Sequence, residues 1–312
     1  MFTLAHLSDP HLGSMPVPGF RALAGKRALG YLSWRSHRKA IHDGPVLPTL
    51  AADLRSAAPD HIAITGDITN IALPEEFTRA REWLNGLGEP SVVTVVPGNH
   101  DAYVGVPWES ALGKWTPFMS GVAANLPAED APVETPVSST EDFPFVRLRG
   151  PIAIVGVSSA CPTPVFSAAG RCGAAQLAAL ADRLTELGQR KLFRVVLIHH
   201  PPLGGRAKRR KQLLDSADFC AVIARAGAEL ILHGHTHRSA LAKIPRPKGS
   251  APVIGVPSAS ARPDIGKGRS RYHLYRIEQI GAAWRLGVEV RGVTDDLDRF
   301  ITEGQFTLTI PG

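Results

Sequence analysis

Short apolar runs recur along this chain, each ending at a glycine or a polar side chain. Residues 2–7, 61–65, 91–96, 144–148, 151–157, 192–198 and 229–232 are runs of this kind and predict buried strands. Between them the period changes. Residues 48–57 predict a helix. A second starts at Pro74, with Glu75 and Glu76 in its first turn and Phe77, Ala80, Leu84 and Leu87 on one face, and ends near Gly86 and Gly88. A third covers 174–187, with Leu177, Leu180, Leu184 and Leu187 on one face and Gly188 as terminator, and a fourth covers about 213–226. The remainder (239–244, 251–256, 271–278 and 284–291) reads mostly as strand. Strand–helix alternation followed by a strand-rich end predicts α/β architecture, with sheets packed together and helices outside.

Two stretches depart from the pattern. Residues 20–41 have helical character interrupted by Gly25 and Gly30, with Phe20, Leu23, Tyr31, Leu32 and Trp34 as the apolar part. They form the bulk of an insertion at about 14–42. Residues 102–142 are rich in proline, alanine and serine and predict an irregular surface segment near the site. With no repeat and no clean linker, residues 1–312 read as a single domain.

Composition changes little. Hydrophobic residues are 44% and charged residues 20%, ordinary for a globular protein with a full core. No apolar run is long enough to cross a bilayer, and the first residues lack the basic and apolar regions of a signal peptide. Cys161, Cys172 and Cys220 are an odd set without metal-type spacing, so no disulfide framework is expected and the cytoplasm is the expected location. Charge adds more. The formal net charge is +7, and no acidic residue lies between Asp9 and Asp43, where Arg21, Lys26, Arg27, Arg35, Arg38 and Lys39 all fall. A second basic cluster, 206–211, follows the His199-His200-Pro-Pro stretch. Both clusters are as compatible with solvated faces as with anionic partners.

The polar residues that end the apolar runs carry the chemistry. They are Asp9-Pro-His11, Asp67 in Gly66-Asp-Ile-Thr-Asn70, Gly98-Asn99-His100-Asp101, the His199-His200 pair, and Gly234-His235-Thr-His237. Carboxylate, amide oxygen and imidazole suit manganese, iron or zinc, and the absence of thiolate argues against a soft-metal site. Two divalent ions held about 3.5–4 Å apart need an anionic bridge, for which Asp67 is the reading. Ligands just past strand ends converge at one sheet edge, where open α/β folds bind their ligands.

In this order the motifs, spanning residues 9–237, resemble those of the calcineurin-like metallophosphoesterases, in particular their bacterial phosphodiesterase-like branch. The resemblance implies a four-layer αββα sandwich with a dinuclear site of manganese, iron or zinc. It implies that Asp9, His11 and His237 hold one ion, that Asn99, His199 and His235 hold the other, and that Asp67 bridges. It also favours His199 over His200, because the family's ligand directly follows the strand. His100 is not a metal ligand in similar proteins and is the candidate general acid for the leaving alkoxide, with Asp101 expected to orient and charge its ring. The nucleophile expected is a water whose proton is lost because two cations stabilise hydroxide.

Around this set, Asn70 is expected to bond its own loop or to support the ligands, and His200 to line the pocket or bond the following loop. Arg238 is expected to meet a phosphate or to be exposed, whereas His6, His61 and His233 read as structural. The expected function is metal-dependent hydrolysis of a phosphate ester, with phosphodiesters favoured. The alternative is a lipid-linked pyrophosphate or phospholipid head-group hydrolase, motivated by the basic, aromatic 20–41 segment. That segment reads either as a lid or docking surface with peripheral membrane contact, or as a helical hairpin packing its aromatics on the core. Phosphomonoesterase, nuclease and non-catalytic scaffold rank behind, no second nucleic-acid module being visible. Oligomeric state is left open.

Overall fold

The computed structural model describes residues 1–13, 15–23, 25–42, 44–122, 134–203, 209–263, 265 and 268–312, the side chains of Phe20 and His37 excepted. Its strands are β1 (Phe2–Leu7), β2 (His61–Ile64), β3 (Val93–Val95), β4 (Ser120–Val122), β5 (Glu134–Pro136), β6 (Phe145–Arg149) and β7 (Ile152–Gly156). They continue with β8 (Phe193–Leu197), β9 (Leu230–His233), β10 (Ala240–Pro245), β11 (Ser250–Gly255), β12 (Arg271–Ile280), β13 (Ala283–Val293) and β14 (Phe300–Pro311). The α-helices are α1 (Lys26–Ser33), α2 (Lys39–His42), α3 (Val46–Ala57), α4 (Pro74–Leu87), α5 (Ala174–Gln189) and α6 (Ser216–Ala226).

Among the described residues there are two six-stranded sheets, ordered β14-β13-β12-β1-β2-β3 and β10-β11-β9-β8-β7-β6, and a small β4-β5 hairpin. Their period-2 alternation builds two cores. In β8, Phe193, Val195 and Leu197 face the core between the sheets, while Val196 faces the core under α5 and α6. β7 divides in the same way, Ile152 and Ile154 from Ala153 and Val155. Leu50 and Leu54 of α3 and Phe77, Ala80 and Leu84 of α4 pack on the first sheet; Leu177, Leu180 and Leu184 of α5 and Phe219 and Ile223 of α6 pack on the second. The layers are therefore helix, sheet, sheet, helix. No helix among the described residues is long and apolar enough to cross a membrane.

The parallel neighbours fix where the site is. β1, β2 and β3 run parallel, and so do β7, β8, β9 and β11. Their carboxyl ends meet at one edge of the sandwich.

Three expectations need correction. Gly30 does not interrupt the insertion: α1 runs through it into a π-helical turn, Trp34–Arg38, and then α2. Gly30 is there for close approach, since a Cβ would lie 2.7 Å from both Ile71 Cγ2 and the Tyr103 hydroxyl. The 102–142 segment is not a surface wrap, because Trp115, Phe118 and Met119 are fully buried in the core, Trp115 against Phe77 of α4; its residues 123–133 lie outside the described residues. Finally, β14 is a long edge strand that the apolar pattern does not predict, because most of its side chains face solvent.

Candidate active site

Every candidate ligand lies in a loop leaving a parallel strand: Asp9 and His11 after β1, Asp67 after β2, Asn99 after β3, His199 after β8, and His235 and His237 after β9. The loops hold one another through the backbone. Asp9 N–H donates to Gly66 O (2.9 Å), His11 N–H to Asp67 O (3.0 Å) and Gly234 N–H to His199 O (3.1 Å). Gly66, at φ +82°, cannot carry a side chain, since a Cβ would stand 2.4 Å from Gly98 N. Asp9, His11, Asp67, His235 and His237 all have positive φ, between 36° and 68°. Left-handed backbone at a non-glycine costs roughly 1–3 kcal/mol per residue and gathers at functional sites.

The side chains converge. His237 Nε2 is 3.2 Å from Asp9 Oδ1 and 3.3 Å from His11 Nε2. His199 Nε2 is 3.2 Å from Asn99 Oδ1 and 3.3 Å from His235 Nδ1. Between these two groups stands Asp67, whose Oδ2 is 3.9 Å from His11 Nε2 and 3.4 Å from His199 Nε2. Its other oxygen accepts the His100 N–H at 2.7 Å.

The outward nitrogens are taken: His11 Nδ1 by Thr69 O, His199 Nδ1 by Thr65 O and His235 Nε2 by Lys211 O. Each ring therefore turns its other nitrogen inward, toward the buried Asp9 and Asp67 carboxylates. Such a donor set fits divalent cations and not a hydrogen-bonded core, and the carbonyl contacts fix tautomer and orientation as in metal-ligating histidines. Burial disfavours charge on His199, but the Asp67 carboxylate outweighs it and raises the imidazole pKa to about 9. Burial likewise presses Asp67 toward its neutral form, yet His199 and His100 hold its pKa well below the usual carboxylate range.

The remaining sequence-predicted residues divide. The His100 ring is at the site: its Nδ1–H donates to Asn70 O at 2.6 Å, and burial lowers its pKa to about 4. Asp101 does not pair with that ring. Its carboxylate accepts the N–H groups of Asp67, Ile68, Thr69 and Gly98 and the Thr69 hydroxyl, so it fastens the β2 and β3 loops together. Asn70 donates from its amide to Leu12 O, and its N–H is held by Glu76. His200 bonds Ser159 Oγ (2.8 Å) and Ala168 O (3.2 Å), bracing two loops behind the site. Arg238 is exposed and lines the cavity. His6, His61 and His233 are buried.

The insertion delivers two residues to the site: His42, which sequence reading missed, and Arg38, which it counted only among the cations of a possible lid or docking surface. His42 is buried, with Nδ1 2.7 Å from Ser260 Oγ and its ring centroid 4.8 Å from that of His11. A nitrogen of its ring lies within 4.8 Å of nitrogens of His11 and His237. Arg38 reaches His100, with Nη1 3.1 Å from Nε2. No spacing rule points to either residue; the one signal was a basic stretch free of acids starting shortly after His11.

Arg38, His42, Asp67, Asn99, His100 and His237 line one open cavity of about 430 Å³, with Lys211 and Arg238 also on its wall. The family described as calcineurin-like phosphoesterase matches residues 2–239. A probable cyclic nucleotide phosphodiesterase from Synechococcus is 25% identical over 244 residues, covering 77% of this chain and 80% of its own. A dimetal phosphatase from Danio rerio shares the fold, with a TM-score of 0.59 at 13% identity over 99% of this chain and 98% of its own.

Proposed function

The chain belongs to the calcineurin-like phosphoesterase family and is a metal-dependent phosphoester hydrolase with a dinuclear divalent site, and we propose that it cleaves phosphodiesters. The observation that carries this reading is the division of the donors into two groups on either side of Asp67 Oδ2. Asp9, His11 and His237 would hold one ion, Asn99, His199 and His235 the other, and Asp67 both. Manganese, iron and zinc all suit such ligands. When bound, the ions supply Lewis acidity and lower the pKa of water.

The chain's own residues do the rest. The carbonyls of Thr69, Thr65 and Lys211 keep the imidazoles aimed inward, and the Asp101 carboxylate keeps the β2 and β3 loops in register. We read His100 as the general acid for the leaving alkoxide, acting from Nε2 when that nitrogen is protonated, since Nδ1–H is committed to Asn70 O. Preference for a diester is supported by the name of the Synechococcus relative. A lipid-linked pyrophosphate or phospholipid substrate is favoured by one observation, the exposure of Leu29 and Leu32 on α1 (45% and 60%). Turnover of an aryl phosphodiester, an aryl phosphomonoester, a cyclic nucleotide and a lipid pyrophosphate with Mn²⁺ separates these. Faster cleavage of the monoester or the pyrophosphate than of either diester would overturn the proposal.

A further inference from the structure

Arg27, Arg147 and Arg38 each turn donors toward the interior, and they are not alike. Arg27, in the insertion, donates to Ile71 O (3.1 Å) and Ala72 O (2.5 Å) and so ties α1 to the loop after β2. Arg147, fully buried, donates to the carbonyls of Ser120, Pro90, Val93 and Pro117, with Glu134 also nearby. Both are satisfied braces. Arg38 is not. Its Nη1 faces the His100 ring, 3.2 Å from Nδ1 and 3.1 Å from Nε2. Since Nδ1 already donates to Asn70 O, only Nε2, while unprotonated, can accept from Arg38; once Nε2 carries a proton the fork must turn away from it. Nη2 is at the limit of bonding, 3.5 Å from Gly30 O, and Nε is buried with no partner. Among the described residues no carboxylate is in direct contact with this guanidinium; Asp67 and Glu76 act on it from a distance. Removing a cation from water without an anion costs several kcal/mol.

The position of Arg38 says what anion would offset that cost. It ends the π-helical turn Trp34–Arg38, which starts at the buried Trp34, and such turns are frequent at functional sites. It lines the same cavity as Asp67 and His100, and His100 N–H is bonded to Asp67. A group lying against the candidate metal ligands and the His100 ring therefore meets the Arg38 fork. We propose that Arg38 is a phosphate-binding residue of this site, its fork taking the anionic oxygens of the phosphoryl group while the neighbouring His100 faces the leaving oxygen. The planar, permanently charged guanidinium matches two phosphate oxygens in a way an ammonium does not. This rests on the phosphoester hydrolase reading but not on the preference for diesters. It makes the insertion part of the active site.

The test is isothermal titration of Mn²⁺-loaded protein with inorganic phosphate, beside elemental analysis of metal content. Arg38→Ala is expected to keep both metals and to weaken phosphate binding roughly tenfold or more, the scale of a lost charge-assisted bond. Arg35→Ala, which removes an exposed cation from the same turn, is expected to leave phosphate binding within about threefold of the parent. Partial recovery of Arg38→Ala by added guanidinium ion is expected as well, which a brace would not give. Should Arg38→Ala lose metal or fold, Arg38→Gln decides, because it keeps a polar side chain with a donor but without the charge. Metal-replete Arg38 variants that bind phosphate within about threefold of the parent, or a parent that binds none, would overturn the proposal. Phosphate binding needs no turnover. Failure of the diester substrates would therefore sink the diester preference and leave this result standing.

Discussion

Asp67 Oδ2 is the atom that faces both imidazole groups, and Oδ1 is already committed to the His100 N–H. Asp67→Asn is therefore expected to cost more activity than any other single ligand change, with metal lost in parallel. Two bound ions and near-normal turnover in that variant would remove Asp67 from the bridging position. His100→Ala is expected to keep both ions and to slow hydrolysis by roughly 10²–10⁴-fold, the usual range for a lost general acid. The loss should shrink with a nitrophenolate leaving group, which needs little protonation; equal losses with an alkoxide would leave His100 only a positioning role. Asp101 differs from both. Without its carboxylate the N–H groups of Gly98, Asp67, Ile68 and Thr69 lose their acceptor, and each buried donor left unpaired costs about 1–3 kcal/mol. Asp101→Ala should lower the midpoint of urea unfolding and loosen metal binding. A native midpoint with a rate defect that depends on the leaving group would instead return Asp101 to the role of orienting His100.

Among the elements, the parallel strands are the ones that sequence made legible. β2, β8 and β9 are buried on both faces, so each reads as a short, largely apolar run with its polar ligand just beyond. Asp67, His199 and His235 could be found for that reason. β14 presents alternate exposed residues and has no such run, and Trp115 and Phe118 sit in 3-10 turns without a repeating period, so neither their burial nor their place could be read. Arg38 and His42 were illegible on other grounds. What brings them to the site is docking of α1 against Ile71 and Tyr103, a tertiary contact that no local pattern encodes. Gly30 is the residue that permits it. Gly30→Val should push α1 outward by its clash with Ile71 and Tyr103, leave metal content intact and weaken phosphate binding along with Arg38. Unchanged phosphate affinity in a metal-replete Gly30→Val would show that the insertion docks independently of this contact.

At the scale of the whole molecule, the candidate ligands come from both halves of the sandwich, Asp9, His11, Asp67 and Asn99 from the first sheet and His199, His235 and His237 from the second. The first sheet has a connectivity with consequences beyond the finished structure. β1 pairs on one side with β2, its neighbour in sequence, and on the other with β12, in a register that sets Phe2 against Ile277 and His6 against His273. The strand carrying Asp9 and His11 is thus closed on one side by chain made more than two hundred residues later. Contacts so remote form late, because a long loop must close before they repay it. During synthesis, a nascent chain that has just released His237 from the ribosome already holds every proposed ligand, and yet the edge of β1 is bare. Metal capture should then wait for the final strands. A chain ended at residue 245 is expected to take up neither ion stoichiometrically from Mn²⁺ solution, while the full chain takes up both; loading of the shorter chain would mean that the loops assemble the site before the sheet behind them is complete.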